Sequence, residues 1–114
     1  MIETGNEFCF VYSTFPDAES ALAVGRALVD RKLAACVNVY PPMTSVYVWQ
    51  GQQEETQEVA AFIKTRRSLV ESAVAAARAQ HPYSTPCFLV LPIAGGNDDY
   101  LAWARSQTER SLTV

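Results

Sequence analysis

Glycine, histidine and basic residues are scarce in this sequence, and each shortage removes a class of function. The five glycines, at positions 5, 25, 51, 95 and 96, build neither a G-x-G-x-x-G turn nor a P-loop, so no nucleotide-binding signature is present. The paired glycines Gly95 and Gly96 read as a plain turn rather than an anion nest. Lysine and arginine number nine against twelve acidic residues, for a net charge of −3. A nucleic-acid face needs a basic footprint and an anionic membrane surface attracts one, so neither is expected as a partner. No apolar run approaches the length of a membrane span. The opening "MIETGNEFCF" has no basic region followed by a long apolar stretch, which argues against a signal peptide and for the cytoplasm.

Cysteine is present but unpaired by pattern. Cys9, Cys36 and Cys87 are odd in number and widely spaced, unlike a secreted disulfide framework. Their apolar neighbours suit buried free thiols. The single histidine, His81, excludes an H-x-x-x-H site, and no C-x-x-C exists to complete a structural zinc site.

What is present is a chain of 114 residues, expected to form one domain over 1–114. Hydrophobic residues make up 49% and charged residues only 18%. So few charges leave a surface that another subunit is expected to cover. "FCFVYSTF" from Phe8 reads as a strand. "DAESALAVGRALVDRKL" carries apolar residues at helical spacing, Ala21, Leu22, Gly25, Leu28 and Val29 among them. On that face Gly25 would let the helix approach a sheet closely. "AACVNVYP" is a second strand, interrupted by Pro41 and Pro42. "TSVYVWQG" resumes it with Val46 and Val48 on one side and Tyr47 and Trp49 on the other. Both faces are apolar, where a half-wet antiparallel strand would show one polar face.

The polar stretch "QGQQEET" reads as a turn, and "QEVAAFIKTR" returns as a strand to make a long hairpin. "RRSLVESAVAAARAQ" is a second helix, with Ser68 and Glu71 placed as a capping box. His81 and Pro82 end it. "CFLVLPI" is wholly apolar, as strands at a sheet centre are. "DDYLAWARSQ" reads as a short helix capped by Asp98 or Asp99, and "TERSLTV" as a last short strand. The order β-α-β-β-α-β with a small closing helix predicts an α+β, ferredoxin-like fold with a long central β-hairpin.

Candidate chemistry is sparse. A nucleophile needs a base within hydrogen-bond reach, and only His81 could serve Cys36 or Cys87. Both cysteines lie in apolar strands, so the chain is read as no enzyme. The same three residues could supply soft ligands for copper or zinc if separate strands or subunits brought them together. Glu54, Glu55 and Glu58 could hold a hard cation, although a solvated turn explains them equally. Lys64 in an apolar strand is open to three readings: exposure to solvent, pairing with Glu58 or another hairpin carboxylate, or binding an anion.

Four stretches together resemble the CutA divalent-cation tolerance family: "KLAACVNVYP" at 32–41, "TSVYVWQG" at 44–51, "EVAAFIKTR" at 58–66 and "HPYSTPCF" at 81–88. "YLAWARSQT" at 100–108 is similar to its closing helix. The resemblance implies a ferredoxin-like fold and a tight homotrimer built through the long hairpin. Its architecture is like that of the nitrogen-regulatory PII trimers, and the function implied is tolerance of copper and other divalent cations, with no organic cofactor. It places metal ligands at Cys36 and His81. Where the family pattern reads "HPYEVPEI", this chain has Ser84 and Cys87 in place of two acidic residues, which weakens a hard-cation role and leaves Cys87 as a softer candidate ligand. A cleft between subunits would then be walled by Trp49, Lys64 and Tyr83. The alternative function is a PII-like regulatory or scaffold trimer that binds a small anionic ligand or a partner protein.

Overall fold

The computed structural model describes residues 2–3 and 5–109. Its elements run β1 (Ile2–Glu3), β2 (Phe8–Phe15), α1 (Ala18–Asp30), β3 (Cys36–Val39), β4 (Met43–Trp49) and β5 (Gln52–Arg66). A 3-10 turn at Arg67–Leu69 leads into α2 (Val70–Gln80), followed by β6 (Leu89–Pro92), β7 (Gly95–Gly96) and α3 (Asp98–Gln107). The main sheet has the order β3-β5-β2-β6, with β4 extending the far half of β5, and every pairing within it is antiparallel. This is the α+β, ferredoxin-like arrangement. A small ladder between β1 and β7 is added to it.

Alternation along β2 sets the two faces of the sheet. Val11, Ser13 and Phe15 are buried, while Tyr12 and Thr14 between them are half-buried. The buried set meets Ile63, Ala61 and Val59 across the ladder. With Val24 and Leu28 of α1 and the alanines Ala73, Ala76 and Ala77 of α2, these form the main core. Each large aliphatic side chain buried there contributes about 1.5–3 kcal/mol relative to exposure. Gly25 explains how closely α1 lies: a Cβ there would stand 3.2 Å from Val37 Cγ1. Asp17 caps α1, its carboxylate accepting the Ser20 N–H at 2.8 Å.

Several local expectations are replaced. Ser68 falls inside the 3-10 turn, so Leu69 stands at the N-cap of α2 and no side chain caps it. Asn97, not Asp98 or Asp99, precedes α3. The Asp99 carboxylate instead accepts from Asn97 Nδ2 at 2.6 Å and from the Tyr100 N–H. The apolar β6 is an edge of the sheet within this chain, and Leu89, Val90 and Leu91 are exposed. The stretch "QGQQEET" is mostly strand: the hairpin turns on Gln50 and Gly51 alone, with φ of 50° and 80°. Two successive positive φ values are what a two-residue hairpin turn requires. The strand suggested by "TERSLTV" falls largely at 110–114, outside the described residues; Thr108 closes α3.

A second, smaller cluster of Phe8, Ala35, Leu101 and Ala104 seats α3. Arg105 grips Glu7 through both carboxylate oxygens, at 2.7 and 2.9 Å. That hydrogen bond holds the Glu7 carboxyl below its ordinary range. Among the described residues no helix is long and apolar enough to cross a membrane.

Candidate functional site

A concave feature lies where one face of the hairpin meets the segment after α2. Its volume is about 470 Å³, within the range of small-molecule sites. Tyr47 and Trp49 of β4 wall one side, and Pro82, Tyr83 and Cys87 the other. The hydroxyl residues Thr14, Ser84 and Thr85 join them, and Glu58 supplies the one charged side chain.

Period-two geometry puts the hairpin residues together. Tyr47 pairs with Glu54 and Met43 with Glu58, so Tyr47, Trp49, Thr56 and Glu58 project from one face of the ribbon. Tyr47 Oη and Thr56 Oγ1 stand 3.3 Å apart on that face. Proline-rich sequence fixes the opposite wall: Pro82 and Pro86 bracket residues 83–85, and no helix or ladder continues through them.

His81 pins this wall to the sheet. The Tyr83 N–H donates to His81 Nδ1 at 3.1 Å, which leaves the proton on Nε2 to be donated to the Thr14 carbonyl at 2.9 Å. The ring stacks on Phe15 with centroids 4.3 Å apart. Burial lowers the imidazole pKa, opposed by the Thr14 hydrogen bond and the Glu58 charge. The neutral ring is thus held with both nitrogens engaged.

The Tyr83 hydroxyl donates to Glu58 Oε2 at 2.7 Å. Burial and that carboxylate together push the phenol pKa well up, keeping it a donor. Glu58 is 8% exposed. Among the described residues its carboxylate has no basic partner, the single ion pair there being Glu7–Arg105. Burial, with Glu58 adding to it, also raises the Cys87 thiol.

The residues singled out in the sequence separate into two places. Trp49, Tyr83 and Cys87 share the pocket, with His81 immediately behind it. Cys36 lies opposite Lys64 on β5, four residues beyond Ala60, which faces Thr14. That is about 13 Å along the strand. Cys36 Sγ stands 3.8 Å from Asn38 Oδ1. Lys64 shares a face of β5 with Glu58 but lies six residues away, about 20 Å, too far to pair. Its ammonium instead sits 5.5 Å from the Tyr100 ring centroid. Beside it lies a second hollow, of about 600 Å³, lined by Phe10, Asn38, Tyr40 and Phe62 among others.

Among the described residues, no three His, Cys, Asp or Glu side chains converge as a metal cluster. Cys87 and Glu58 are the two potential donors one chain brings to the pocket. The place of Glu58 there was hidden in the sequence, where it looked like one of three hairpin carboxylates. Only the shared parity of Tyr47, Trp49 and Glu58 across a two-residue turn could have signalled it.

Comparison with known proteins gives the chain its relatives. The model of the CutA1 divalent ion tolerance protein family matches residues 9–107. The chain belongs to this CutA1 family. Human protein CutA is 43% identical over 106 residues, covering 90% of this chain and 59% of that protein. The chain therefore spans less than two thirds of that relative's length. The divalent-cation tolerance protein CutA of Thermus thermophilus is 43% identical over 98 residues, covering 86% of this chain and 95% of that one. A crystallised CutA from Archaeoglobus fulgidus, named a periplasmic divalent cation tolerance protein, has a TM-score of 0.87 at 35% identity, covering 90% of this chain and 99% of that one.

Proposed function

We propose that this chain is the single-domain protomer of a homotrimer that binds divalent or soft cations, copper or zinc among them. It contributes to metal tolerance and catalyses no reaction. The observation that carries this reading is a pocket holding Glu58 and Cys87 with no basic side chain in its lining, on a chain of the CutA1 family. A thiol favours soft or borderline ions over magnesium. Because burial holds the Cys87 thiol protonated, loading must release a proton, and affinity rises with pH.

Two donors per chain leave coordination incomplete, and a second copy would supply the rest. Cys36 and His81 belong to this proposal, His81 on condition that Nδ1 gives up the Tyr83 N–H. Exposed Val46, Val48, Leu89 and Leu91 supply apolar area for such an assembly. A cytoplasmic location is part of the proposal, and the relative named as periplasmic makes cell fractionation its test.

Calorimetric titration of copper(I) and zinc into the reduced protein tests the binding. Cys87→Ser with Glu58→Gln is expected to weaken it at least tenfold, and Cys36→Ala with His81→Ala to weaken it further. Unchanged affinity in the first pair removes the pocket as the site. A regulatory or scaffold trimer taking a small anion is the second reading, favoured by Lys64 on the open aromatic face. Stabilisation by anions and not by metals would select it.

A further inference from the structure

The pocket has chemistry that metal coordination does not use. Three aromatic residues, Tyr47, Trp49 and Tyr83, line it together with the Glu58 carboxylate, and no lysine, arginine or histidine does. Aromatic faces carry negative potential and attract cations, most strongly when the cation is poorly hydrated. A buried carboxylate without a basic neighbour adds to that attraction, because removing a charge from water is costly until an opposite charge joins it. A volume of about 470 Å³ is large for a bare ion and suits a small organic molecule.

We propose that this pocket binds a small organic ammonium ion, its charged nitrogen lodged between the aromatic walls and the Glu58 carboxylate. The proposal does not depend on metal binding.

The carboxylate is positioned before any ligand arrives. Tyr83 donates its hydroxyl to Glu58 Oε2, leaving Oε1 for the ligand. Tyr83 is itself fixed by its N–H bond to His81 Nδ1, and His81 by Thr14 and by stacking on Phe15. A wall held by this relay needs little reordering on binding, which favours affinity. Trp49, 49% exposed in the free chain, is the most exposed of the three aromatic walls. The hydroxyls of Thr14, Ser84 and Thr85 can accept hydrogen bonds from a ligand that carries N–H or O–H groups.

Choline, ethanolamine and the uncharged choline isostere 3,3-dimethylbutan-1-ol are the probes. Binding is read by calorimetry and by the Trp49 indole N–H resonance, with Trp103→Phe removing the other indole. Choline or ethanolamine is expected to bind about tenfold more tightly than the neutral alcohol, a difference of the size cation–π attraction supplies. Their relative order tells whether the walls prefer a methylated or a hydrogen-bonding nitrogen. Trp49→Leu and Glu58→Gln are each expected to cost about tenfold in ammonium affinity.

Equal binding of the neutral alcohol, no shift of the Trp49 resonance, or full affinity in Trp49→Leu would overturn the proposal. Failure of copper and zinc to bind leaves these outcomes untouched, so the two readings fail separately.

Discussion

The two halves of β5 differ in sequence and in surroundings: the outer half, Gln52–Gln57, is polar, and the inner half, from Val59, is largely apolar. From Val59 to Thr65 the strand is flanked by β2 and β3, and Val59, Ala61, Ile63 and Thr65 are buried. From Gln52 to Gln57 it pairs with β4 alone. There the partner strand leaves Val46 60% and Val48 66% exposed, although both are as apolar as Ile63. Burial in the inner half comes from α1 and α2 covering one face. The outer half projects past both helices, and among the described residues the segment 82–87 faces it across the pocket. The pocket forms at the boundary, where Glu58 is the first β5 residue to be buried.

The sharpest test of that contrast is Ile63→Ala against Val48→Ala. Ile63 is fully enclosed, and its truncation is expected to cost about 2–5 kcal/mol in denaturant unfolding. Val48→Ala is expected to stay within about 0.5 kcal/mol when measured on the monomer. Equal costs would mean that the hairpin is already packed in the unit being unfolded. Val46→Lys with Val48→Lys then asks what covers the outer half. Sedimentation is expected to show a trimer for the parent and a smaller species for the variant, with the fold retained by circular dichroism. A parent sedimenting as one chain would remove the trimer from the proposal.

On β2, beside the buried half, one residue works against stability. Ser13 is fully buried, and its hydroxyl is the one buried side-chain polar atom without a partner among the described residues. Ser13→Ala is expected to stabilise the protein by about 1 kcal/mol, since an unpaired buried hydroxyl carries its desolvation penalty.

At the boundary, His81 makes stability depend on pH. Its pKa in the folded protein lies below the ordinary histidine value, chiefly through burial. The unfolded chain therefore takes up a proton first as pH falls. The stabilisation is fully present above about pH 6.5 and is lost as pH drops through the lower folded value. Thermal melts from pH 8 to 5 are expected to show that loss, and His81→Gln to flatten it. The smallest effect belongs to Glu7→Gln. It breaks the clasp to Arg105, whose side chains remain 35% and 42% exposed, so only a slight lowering of the melting temperature is expected.

Much of the fold was legible in the residues. The prolines at 41 and 42 split β3 from β4, and the aromatic run from Phe8 gave β2 its bounds. Gly25 on the apolar face of α1 foretold the approach to Val37. The misses have separate causes. Leu89, Val90 and Leu91 read as a central strand because their apolar character reports what must be covered, and it does not say whether this chain or another does the covering. The expected cap at Ser68 failed because a 3-10 turn displaced the start of α2 by one residue. In the pocket, Tyr83 and Trp49 could be named from sequence. Glu58 could not be assigned, and Lys64 lies elsewhere, because cross-strand register decides which side chains of a long hairpin become neighbours.

The sequence by itself determined the order of the main elements, the two-sided apolar strand β4, the absence of nucleotide and zinc signatures, and the CutA1 family. These are local properties of periodicity, turn chemistry and motif. Only the tertiary structure decided that Tyr83 meets Glu58 across 25 residues and that His81 meets the Thr14 carbonyl across 67. It also decided that Cys36 stands apart from Cys87. Such pairings depend on sheet order and register, which join segments distant along the chain and leave no mark in either one alone.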